Sequence, residues 1–518
     1  MIFGSWEVMV RIDEQRLRHR RQFLLSREII PSLSHWNRRC LSNCYHLYSH
    51  PDLSVSYREQ DGVGIVLLGY IFDSINYGKT DEEIVEDILK RSRTFESFLE
   101  AIKPYSGRYI FLYLIQETFY VMHDPLGLRE IYYCTSMNRI ICGPQPNLIR
   151  QYSNPNIDVS QNHRICRFFE YDRKKVRSGR FWIGDETYFE GIKHLLPNHY
   201  LDVSDLKAKR YWPTKELATI DLHEAVERSC AFLRGMLKAA SIRYELMMAV
   251  TGGTDSRTLL AASKEIKEKI YYFINRHKNL NDKHPDIYIP TAIFNRIKVP
   301  FHLHSVEGEI DQGFRQIFLD NTFLSNDFNL PAIYNIYFKH HGNRLNILGV
   351  GEIGRTFFGH EPKNLDGFYL ARLLKIKDSP YAVEQCQKWL EAARPYARKC
   401  KVNILTLLLW EQLLGNWGVV GNSESDIAIE EFDPFNSHYL YEMMLGVDLK
   451  YSKYGGNLIF QEIIKSLWPV LLEFPINPPY EKTDKLKRVL EKLGVLSLVK
   501  SIIYKCDRLR FRLKYYQK

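Results

Sequence analysis

The sequence has no CxxC pair, and its nine cysteines are dispersed without regular spacing. An odd, scattered set in a chain of 518 residues argues against a disulfide framework or a zinc site, and it favours buried thiols in a reducing compartment. The N-terminal segment also lacks the apolar core of a signal peptide, because charged residues interrupt it at Glu7, Arg11, Asp13 and Glu14. We therefore expect a soluble, cytoplasmic protein.

Hydrophobic runs long enough to cross a membrane are missing as well. The apolar stretch GVGIVLLGYIF (62–72) is shorter than the roughly 20 residues that a membrane-spanning helix needs. The sequence lacks the GxxxxGK[ST] pattern of a Walker A loop, and we do not predict a dinucleotide-binding fold either. Aromatic residues (13%) and charged residues (25%) occur at the levels of an ordered globular protein, and the length favours two domains.

The positive charge is concentrated at the C-terminal end. The whole chain has a formal net charge of +10, and residues 481–518 carry twelve basic residues against four acidic ones, which gives this segment +8. We interpret the segment as a basic helical tail with a solvated charged face. The alternative is an anionic partner, either a membrane surface that the tail contacts weakly or a nucleic acid, although no stable nucleic-acid partner is expected.

Residues 1–210 are predicted to form a β-rich domain. Turn residues separate short runs of β-branched and aromatic residues, namely 64–73, 107–115, 118–124 and 131–143. Residues 80–92 combine a Thr-Asp-Glu-Glu start with apolar residues at helical spacing, which predicts an amphipathic helix. Strands with few intervening helices indicate an antiparallel, layered α+β domain.

Residues 220–480 follow a different pattern. Short apolar runs alternate with helical periods, and these runs are 245–250, 269–275, 299–306 and 344–351. Alternating strands and helices predict an α/β domain with a parallel sheet, followed by a mainly helical part from about residue 363.

The segment ELMMAVTGGTDSRTLLAAS (245–263) carries the strongest functional signal. An apolar strand runs into two glycines, and Asp255 and Ser256 follow where a helix begins. A glycine turn between a parallel strand and a helix N-terminus directs several backbone N–H groups at one point, which favours an anion such as phosphate. The alternative is an ordinary capped turn.

The hexapeptide TGGTDS (251–256) resembles the SGGxDS pyrophosphate loop, or PP-loop, of ATP pyrophosphatases. Residues 67–73 and 106–133 resemble strands and a turn of the glutaminase domain of asparagine synthetases, and 187–203 resembles the junction before the synthetase domain. These motifs, in the family's order over roughly residues 60–360, indicate an asparagine synthetase-like protein. The resemblance implies an Ntn-hydrolase-like α+β layered domain followed by a PP-loop α/β domain with a helical C-terminal part.

The family resemblance also implies a site for ATP and Mg²⁺. The residues expected to bind ATP and its pyrophosphate are Thr251, Gly252, Gly253, Thr254, Asp255, Ser256, Ile274 and Gly349, with adenine on the strand end around Ile274. A second loop, LGVGEIGRTFFGH (348–360), offers Glu352, which could coordinate Mg²⁺ together with Asp255 or merely cap a helix. By alignment Asn457 replaces the family's lysine, and Arg257 and Arg355 are the candidate catalytic cations in its place; the alternative for each is a structural arginine.

One departure from the family concerns nitrogen supply. The glutaminase domain of these enzymes uses an N-terminal cysteine as nucleophile and its own α-amino group as base. Residue 2 of this sequence is Ile, and its first cysteine is Cys40. Unless the true start differs or an internal cleavage exposes a cysteine, we therefore expect a protein that does not use glutamine.

The resulting hypothesis is an ATP-dependent amide-forming (carbon–nitrogen) ligase. It would activate a carboxylate of a small molecule, peptide or sugar acid as an acyl-adenylate, with release of pyrophosphate and then AMP. Relatives with a lost cysteine include β-lactam synthetases and lasso-peptide cyclases, which close an internal amide. Two alternatives stay open, a tRNA- or nucleic-acid-modifying PP-loop enzyme and a non-catalytic ATP-binding homologue.

Overall fold

The computed structural model describes residues 13–515 apart from short gaps at 42–44, 117, 137–138, 153–159, 173–180, 278–279, 326, 356, 360, 453–456, 481–485, 487–488, 491–492 and 494. The predicted absence of an N-terminal nucleophile concerns residue 2, which lies outside the described residues. Most of the segment 481–495 lies outside them too.

Two antiparallel sheets form the first part of the molecule. One has the strand order β10-β8-β9-β1-β3-β2 and the other β12-β11-β7-β6-β5-β4. Their strands are β1 Phe23–Ser26, β2 Asn37–Cys40, β3 His46–Ser49, β4 Val55–Gln60, β5 Val63–Asp73, β6 Tyr105–Ile115, β7 Thr118–His123, β8 Tyr132–Ser136, β9 Arg139–Gly143, β10 Ile192–His194, β11 His199–Asp202 and β12 Lys207–Arg210.

The two antiparallel sheets pack face to face. Alternate residues of β5 and β6, such as Val66, Leu68, Ile110 and Leu112, share one buried cluster with residues of the other sheet, such as Leu25. This period of two is what a sheet with one face on a core requires. The predicted antiparallel, layered domain is therefore observed, and the run 131–143 forms a hairpin, β8 and β9.

The second part contains a parallel sheet with the order β15-β14-β13-β16-β17. Its strands are β13 Leu246–Ala249, β14 Ile270–Arg276, β15 His302–Ser305, β16 Leu345–Ile347 and β17 Glu430–Phe432. The chain progresses from β13 to one edge through β14 and β15, and β16 then adds to the other side of β13. The strand order thus reverses between β13 and β16, which is where open α/β sheets bind ligands.

The helices are α1 Glu14–Leu17, α2 Asp81–Arg91, α3 Phe95–Ile102, α4 Pro146–Tyr152, α5 His163–Asp172, α6 Leu222–Arg243, α7 Thr254–Ala262, α8 Pro285–Ile297, α9 Gln312–Asn321, α10 Leu330–Ala332, α11 Gly367–Leu373, α12 Pro380–Lys399, α13 Ile404–Leu407, α14 Val419–Ser425, α15 His438–Leu445, α16 Leu449–Ser452, α17 Leu458–Leu467 and α18 Leu496–Tyr515. Short 3₁₀ turns lie at Pro31–Leu33, Lys264–Lys269, Glu352–Gly354 and Pro469–Glu473, and π-helical segments at Ile333–His341 and Leu408–Gly418. Within the described ranges, no helix is long and apolar enough to cross a membrane.

Most of the predicted elements are present. The helix predicted over 80–92 is α2, and Thr80 caps it in a reciprocal capping box with Glu83. The mainly helical part from residue 363 is interrupted by β17, which the sequence analysis did not predict. The domain boundaries at 210, 220 and 480 stay predictions, and a buried ion cluster joins the two parts.

Three arginines of the antiparallel part surround Glu430 of β17. The Arg129 Nη2 lies 3.1 Å from Glu430 Oε1, the Arg21 Nε 3.4 Å from the same oxygen and the Arg108 Nη1 3.2 Å from Oε2. Arg108 also forms a bidentate pair with Asp426, at 2.5 and 2.9 Å. Burial opposes ionisation of Glu430, but the three guanidinium groups outweigh it and lower its pKa to about 2.

Candidate functional site

The glycine loop after β13 lies at the point where the strand order reverses. Leu246, Met247 and Met248 of β13 are fully buried, and α7 begins at Thr254 with Gly253 as its N-cap. A glycine N-cap has no side chain to accept from the first turn, whose N–H groups have no partner within the helix. The first turn of α7 therefore has no side-chain cap from Gly253 and presents the positive end of the helix dipole.

The loop itself is internally hydrogen-bonded. The Gly252 N–H donates to Asp286 Oδ1 at 2.9 Å, and the Gly253 N–H donates to Thr251 Oγ1 at 3.1 Å. The Thr251 N–H donates to Ser256 Oγ at 3.1 Å. The sequence analysis expected a triphosphate over Gly252 and Gly253, but in this structure both N–H groups have protein partners. The donors that remain for an anion are those of the first turn of α7.

The second loop, after β16, packs directly against that turn. A Cβ added at Gly349 would lie 3.3 Å from Asp255 C and Ser256 N, and one added at Gly351 would lie 2.6 Å from Asp255 Oδ1. Residues 349–354 also spell GxGxxG, which the sequence analysis overlooked. The pattern follows a strand but opens only a three-residue 3₁₀ turn, so the glycines serve close packing rather than a dinucleotide helix.

Asp255, Glu352 and Arg355 come together between the two loops, as the sequence analysis expected. The Arg355 Nη2 lies 2.7 Å from Asp255 Oδ2 and 3.8 Å from Glu352 Oε1. The second oxygens, Asp255 Oδ1 and Glu352 Oε2, are buried and accept no hydrogen bond from any described residue. Burial and the charge of Glu352 raise the pKa of Asp255 to about 7, although Arg355 opposes this shift.

Asp433 is a third carboxyl beside this group, and the sequence analysis missed it. It follows β17 and accepts from the Val350 N–H at 3.1 Å and the Phe435 N–H at 3.0 Å. Burial raises the pKa of Asp433 well above its ordinary value, and the charges of Glu352 and Asp255 add to the shift. Its position at the carboxyl end of the strand beside β16 was the signal that could have identified it.

The donor set fits a magnesium ion. Mg²⁺ commonly takes one or two carboxylates and completes its shell with water and phosphate oxygens. Asp255 and Glu352 offer two such oxygens that no described group uses. No group of three or more metal-ligating side chains occurs among the described residues, so an all-protein metal cage is not indicated there.

The guanidinium of Arg257 contacts backbone carbonyls, including that of Gly252 in the loop at 3.5 Å. This guanidinium is fully buried and also donates to the carbonyls of Phe474 at 2.8 Å and Pro475 at 2.9 Å. Burial lowers its pKa to about 10. The structure therefore favours the structural alternative for Arg257, which ties α7 to the segment after α17, and the predicted catalytic role has no support from its contacts.

Two asparagines flank Thr254 at the start of α7. The Asn457 Nδ2 lies 3.5 Å from Thr254 Oγ1, and the Asn477 Nδ2 lies 3.3 Å from the same oxygen. Asn477 also donates its N–H to the Gly252 carbonyl at 3.1 Å. Asn457, which aligns with the family's lysine, thus lies beside the loop, whereas Asn477 was missed because it is over 200 residues away in sequence.

Ile274 lies on β14, next to the loop. The Val250 N–H donates to the Phe273 carbonyl at 3.0 Å, which brings the start of the loop against this strand. The side chain of Ile274 is buried, so an adenine ring would meet the strand end rather than this side chain. The neighbouring Asn275 donates to the Tyr337 hydroxyl at 3.0 Å.

The turn at 123–133 in the antiparallel part has a structural role. Asp124 accepts from the N–H groups of Leu128 and Arg129, and Asn436 of the second part donates to its Oδ1 at 2.8 Å. Asp124 therefore helps to join the two parts.

The chain shows only low similarity to known proteins. No family model matches the sequence, and no curated protein matches it. A structure of glutamine phosphoribosylpyrophosphate amidotransferase from B. subtilis, complexed with ADP and GMP, is 12% identical, with 58% of this chain and 66% of that chain covered and a TM-score of 0.22. A structure of the allosteric regulatory enzyme of purine biosynthesis is 11% identical, with 72% and 74% covered and a TM-score of 0.22.

Proposed function

We propose that the protein is an ATP-dependent amide-forming ligase of the asparagine synthetase type, with an Ntn-hydrolase-like first part and a PP-loop α/β second part. A substrate carboxylate would attack the α-phosphorus of ATP to give an acyl-adenylate and pyrophosphate. An amine would then attack the acyl carbon, with AMP leaving, to form the amide. The substrate class stays that of the sequence analysis: a small molecule, a peptide or a sugar acid.

The observation that carries the proposal is the meeting of two loops at the reversal of strand order. The loop after β13 supplies the helix N-terminus, and the loop after β16 supplies Glu352 and Arg355. A helix N-terminus without a side-chain cap, near two carboxylate oxygens that no described residue uses, suits a magnesium–pyrophosphate group, which needs anion donors and metal ligands side by side.

The residues would have separate tasks. The first-turn N–H groups of α7 would bind the leaving pyrophosphate, and Arg355 would hold Asp255 in place through Oδ2 while adding positive charge. Asp255 Oδ1 and Glu352 Oε2 would hold Mg²⁺, which supplies charge neutralisation for the phosphates when bound. Asn457 and Asn477 would orient Thr254, and Gly351 would keep the two loops in contact.

The proposal does not include glutamine hydrolysis. As in the sequence analysis, the nitrogen source is expected not to be glutamine. Free ammonia or an amine within the substrate would be the nucleophile.

The test compares wild-type protein with Asp255→Asn. ATP with Mg²⁺ should raise the thermal unfolding midpoint of the wild type, because binding to the folded state alone stabilises it. The variant should show a much smaller shift and exchange labelled pyrophosphate into ATP at least about tenfold more slowly in the presence of candidate carboxylates. Asp327→Asn, at an exposed pair with Arg315, is the matched control and should behave as wild type.

Two results would reject the proposal. Equal nucleotide-dependent stabilisation of wild type and Asp255→Asn would place the nucleotide elsewhere. Stabilisation without pyrophosphate exchange would favour the non-catalytic ATP-binding homologue, an alternative that the internal hydrogen bonds of Gly252 and Gly253 support.

A further inference from the structure

Helix α18 has an apolar stripe that faces away from the protein. We define the stripe as Leu498, Ile502, Cys506, Leu509 and Leu513. The four aliphatic side chains are 60%, 53%, 59% and 50% exposed, and Cys506 is exposed as well. Their spacing of four, four, three and four residues places them on one side of a helix of 3.6 residues per turn.

The opposite side of α18 is docked on the protein. The carboxylate of Asp507 lies 3.2 Å from the Arg372 Nε and 2.7 Å from the Lys377 Nζ. The ring of Phe511 is buried against Phe368, with ring centroids 5.0 Å apart. These contacts fix the rotation of the helix about its axis, and this rotation turns the stripe outward.

The docking extends along the helix. Arg508 pairs with Asp366 at 2.7 Å, immediately before α11, and the Tyr515 hydroxyl donates to the Asp378 carbonyl at 2.9 Å. The helix is therefore held at several points over its last three turns. It does not depend on its apolar stripe for attachment.

Basic residues border the stripe on both sides. On a helical projection Lys505 and Arg512 follow one border, and Arg510 and Lys514 follow the other. All four are exposed. The one acidic residue within α18, Asp507, is on the docked side and is already paired.

We propose that α18 binds an anionic lipid surface, lying in its plane with the stripe inserted among the lipids and the bordering cations at the headgroups. An apolar face with cations on its borders is the pattern of an interfacial amphipathic helix. Charge complementarity selects anionic over zwitterionic lipid, because each Lys or Arg near such a surface adds to the attraction. This inference is independent of the proposed enzymatic activity.

The test measures sedimentation of the full-length protein with vesicles. Vesicles of phosphatidylglycerol and phosphatidylcholine should bind the protein, vesicles of phosphatidylcholine alone should bind it at least about tenfold more weakly, and high salt should reduce binding. Leu509→Ser with Leu513→Ser should lower the partition coefficient at least about tenfold. The matched control, Ile75→Ser with Ile242→Ser, removes equally exposed apolar groups elsewhere and should bind as wild type.

A second pair separates charge from apolar insertion. Lys505→Gln with Arg512→Gln should lower the partition coefficient about tenfold, whereas Lys90→Gln with Arg93→Gln, at exposed ion pairs of the first part, should leave it unchanged. A polarity-sensitive fluorophore on Cys506, after Cys40 and Cys44 are replaced by Ser, should shift to shorter wavelength with anionic vesicles, because this position lies within the stripe.

Several results would overturn the inference. Equal binding by wild type and the Leu509/Leu513 variant would mean that the stripe is not inserted, and equal binding to both vesicle types would mean that charge does not select the surface. Absence of vesicle binding would overturn it as well. In that case a wild-type dimer that the stripe variant converts to a monomer would assign the stripe to a second copy, and salt-dependent RNA binding would assign the cations to nucleic acid.

Discussion

At Gly351 the second loop passes so close to α7 that an added Cβ would lie 2.6 Å from Asp255 Oδ1 and 3.1 Å from Phe460. The carboxylate on one side is held by Arg355, and the ring on the other is fully buried. Neither neighbour can move without disturbing the site. Gly351 is therefore needed because its neighbours leave no room for a side chain, and not because of its φ, which is outside the left-handed region.

We expect Gly351→Ala to cost about 1–3 kcal/mol of stability, as overpacking of a filled interior does. It should also weaken stabilisation by ATP with Mg²⁺, because the methyl group displaces Asp255. Differential scanning fluorimetry with and without nucleotide checks both effects. Gly78→Ala, where an added Cβ meets nothing within 4 Å, is the control and should leave both quantities unchanged.

The candidate site was only partly predictable at this scale. Asp255, Glu352 and Arg355 could be found because each lies within a recognisable motif after a strand. Asn477 could not, because nothing near it in sequence marks it as a partner of a loop about 220 residues earlier, and Asp433 could be identified only once β17, the strand that it follows, had been predicted. The contacts of Arg257 were unpredictable for the same reason, since the sequence around residue 257 does not indicate that its partners are the carbonyls at 471–475.

At the element scale, Arg257 is the connection between α7 and the segment after α17. Its guanidinium satisfies the carbonyls of Leu471, Phe474 and Pro475, all of which follow or lie in a short 3₁₀ turn. The same segment supplies Asn477, which binds the Gly252 carbonyl. The orientation of the glycine loop therefore depends on an element that begins some 210 residues later.

Arg257→Met should lower the free energy of unfolding by about 2–4 kcal/mol, because it leaves buried carbonyls without donors. Chemical denaturation followed by fluorescence measures this loss. Arg257→Lys should restore part of the lost stability, because a lysine can still donate to these carbonyls. If Arg257 acted only on a bound ligand, neither substitution would change the stability of the ligand-free protein. Arg234 of α6 forms an exposed pair with Glu265, so Arg234→Met should leave the free energy of unfolding almost unchanged.

Elements with a clear period were predictable and short ones were not. Strands β5, β6 and β13 combine apolar residues with flanking turn residues. Helix α2 begins at a capping box that can be recognised in the sequence. Strand β17 has three residues, two of them glutamates, and it exists because β16 pairs with it and arginines neutralise Glu430. Such a strand is specified by its tertiary surroundings, so a local pattern cannot reveal it.

On the scale of the whole molecule, a buried histidine connects the two parts and makes stability depend on pH. His438 of α15 is hydrogen-bonded to the Tyr211 hydroxyl at 3.0 Å. Burial and the charge of Lys103 lower its pKa to about 3. The unfolded chain would bind a proton at this residue near pH 6.5 while the folded protein would not. Its contribution to stability is therefore lost as the pH falls from about 6.5 towards 3.

The comparison of wild type with His438→Gln isolates this effect. Between pH 7 and pH 4 the wild type should lose about 3 kcal/mol more stability than the variant, given a pKa difference of more than three units. Buried carboxyls with raised pKa values, such as Glu431 at about 7, act in the opposite direction in both proteins and cancel in the difference. Urea denaturation at several pH values measures it, and parallel curves for the two proteins would contradict the assignment.

The ion cluster around Glu430 limits how the chain can be divided. Arg21, Arg108 and Arg129 come from the first 210 residues, and the acids they neutralise come from the last strand of the parallel sheet and the residues just before it. Removing the first part would leave Glu430 and Asp426 as bare charges along the edge of that sheet. The first part therefore supplies the counter-charges of the parallel sheet, and the second part is not expected to persist as an independent fragment.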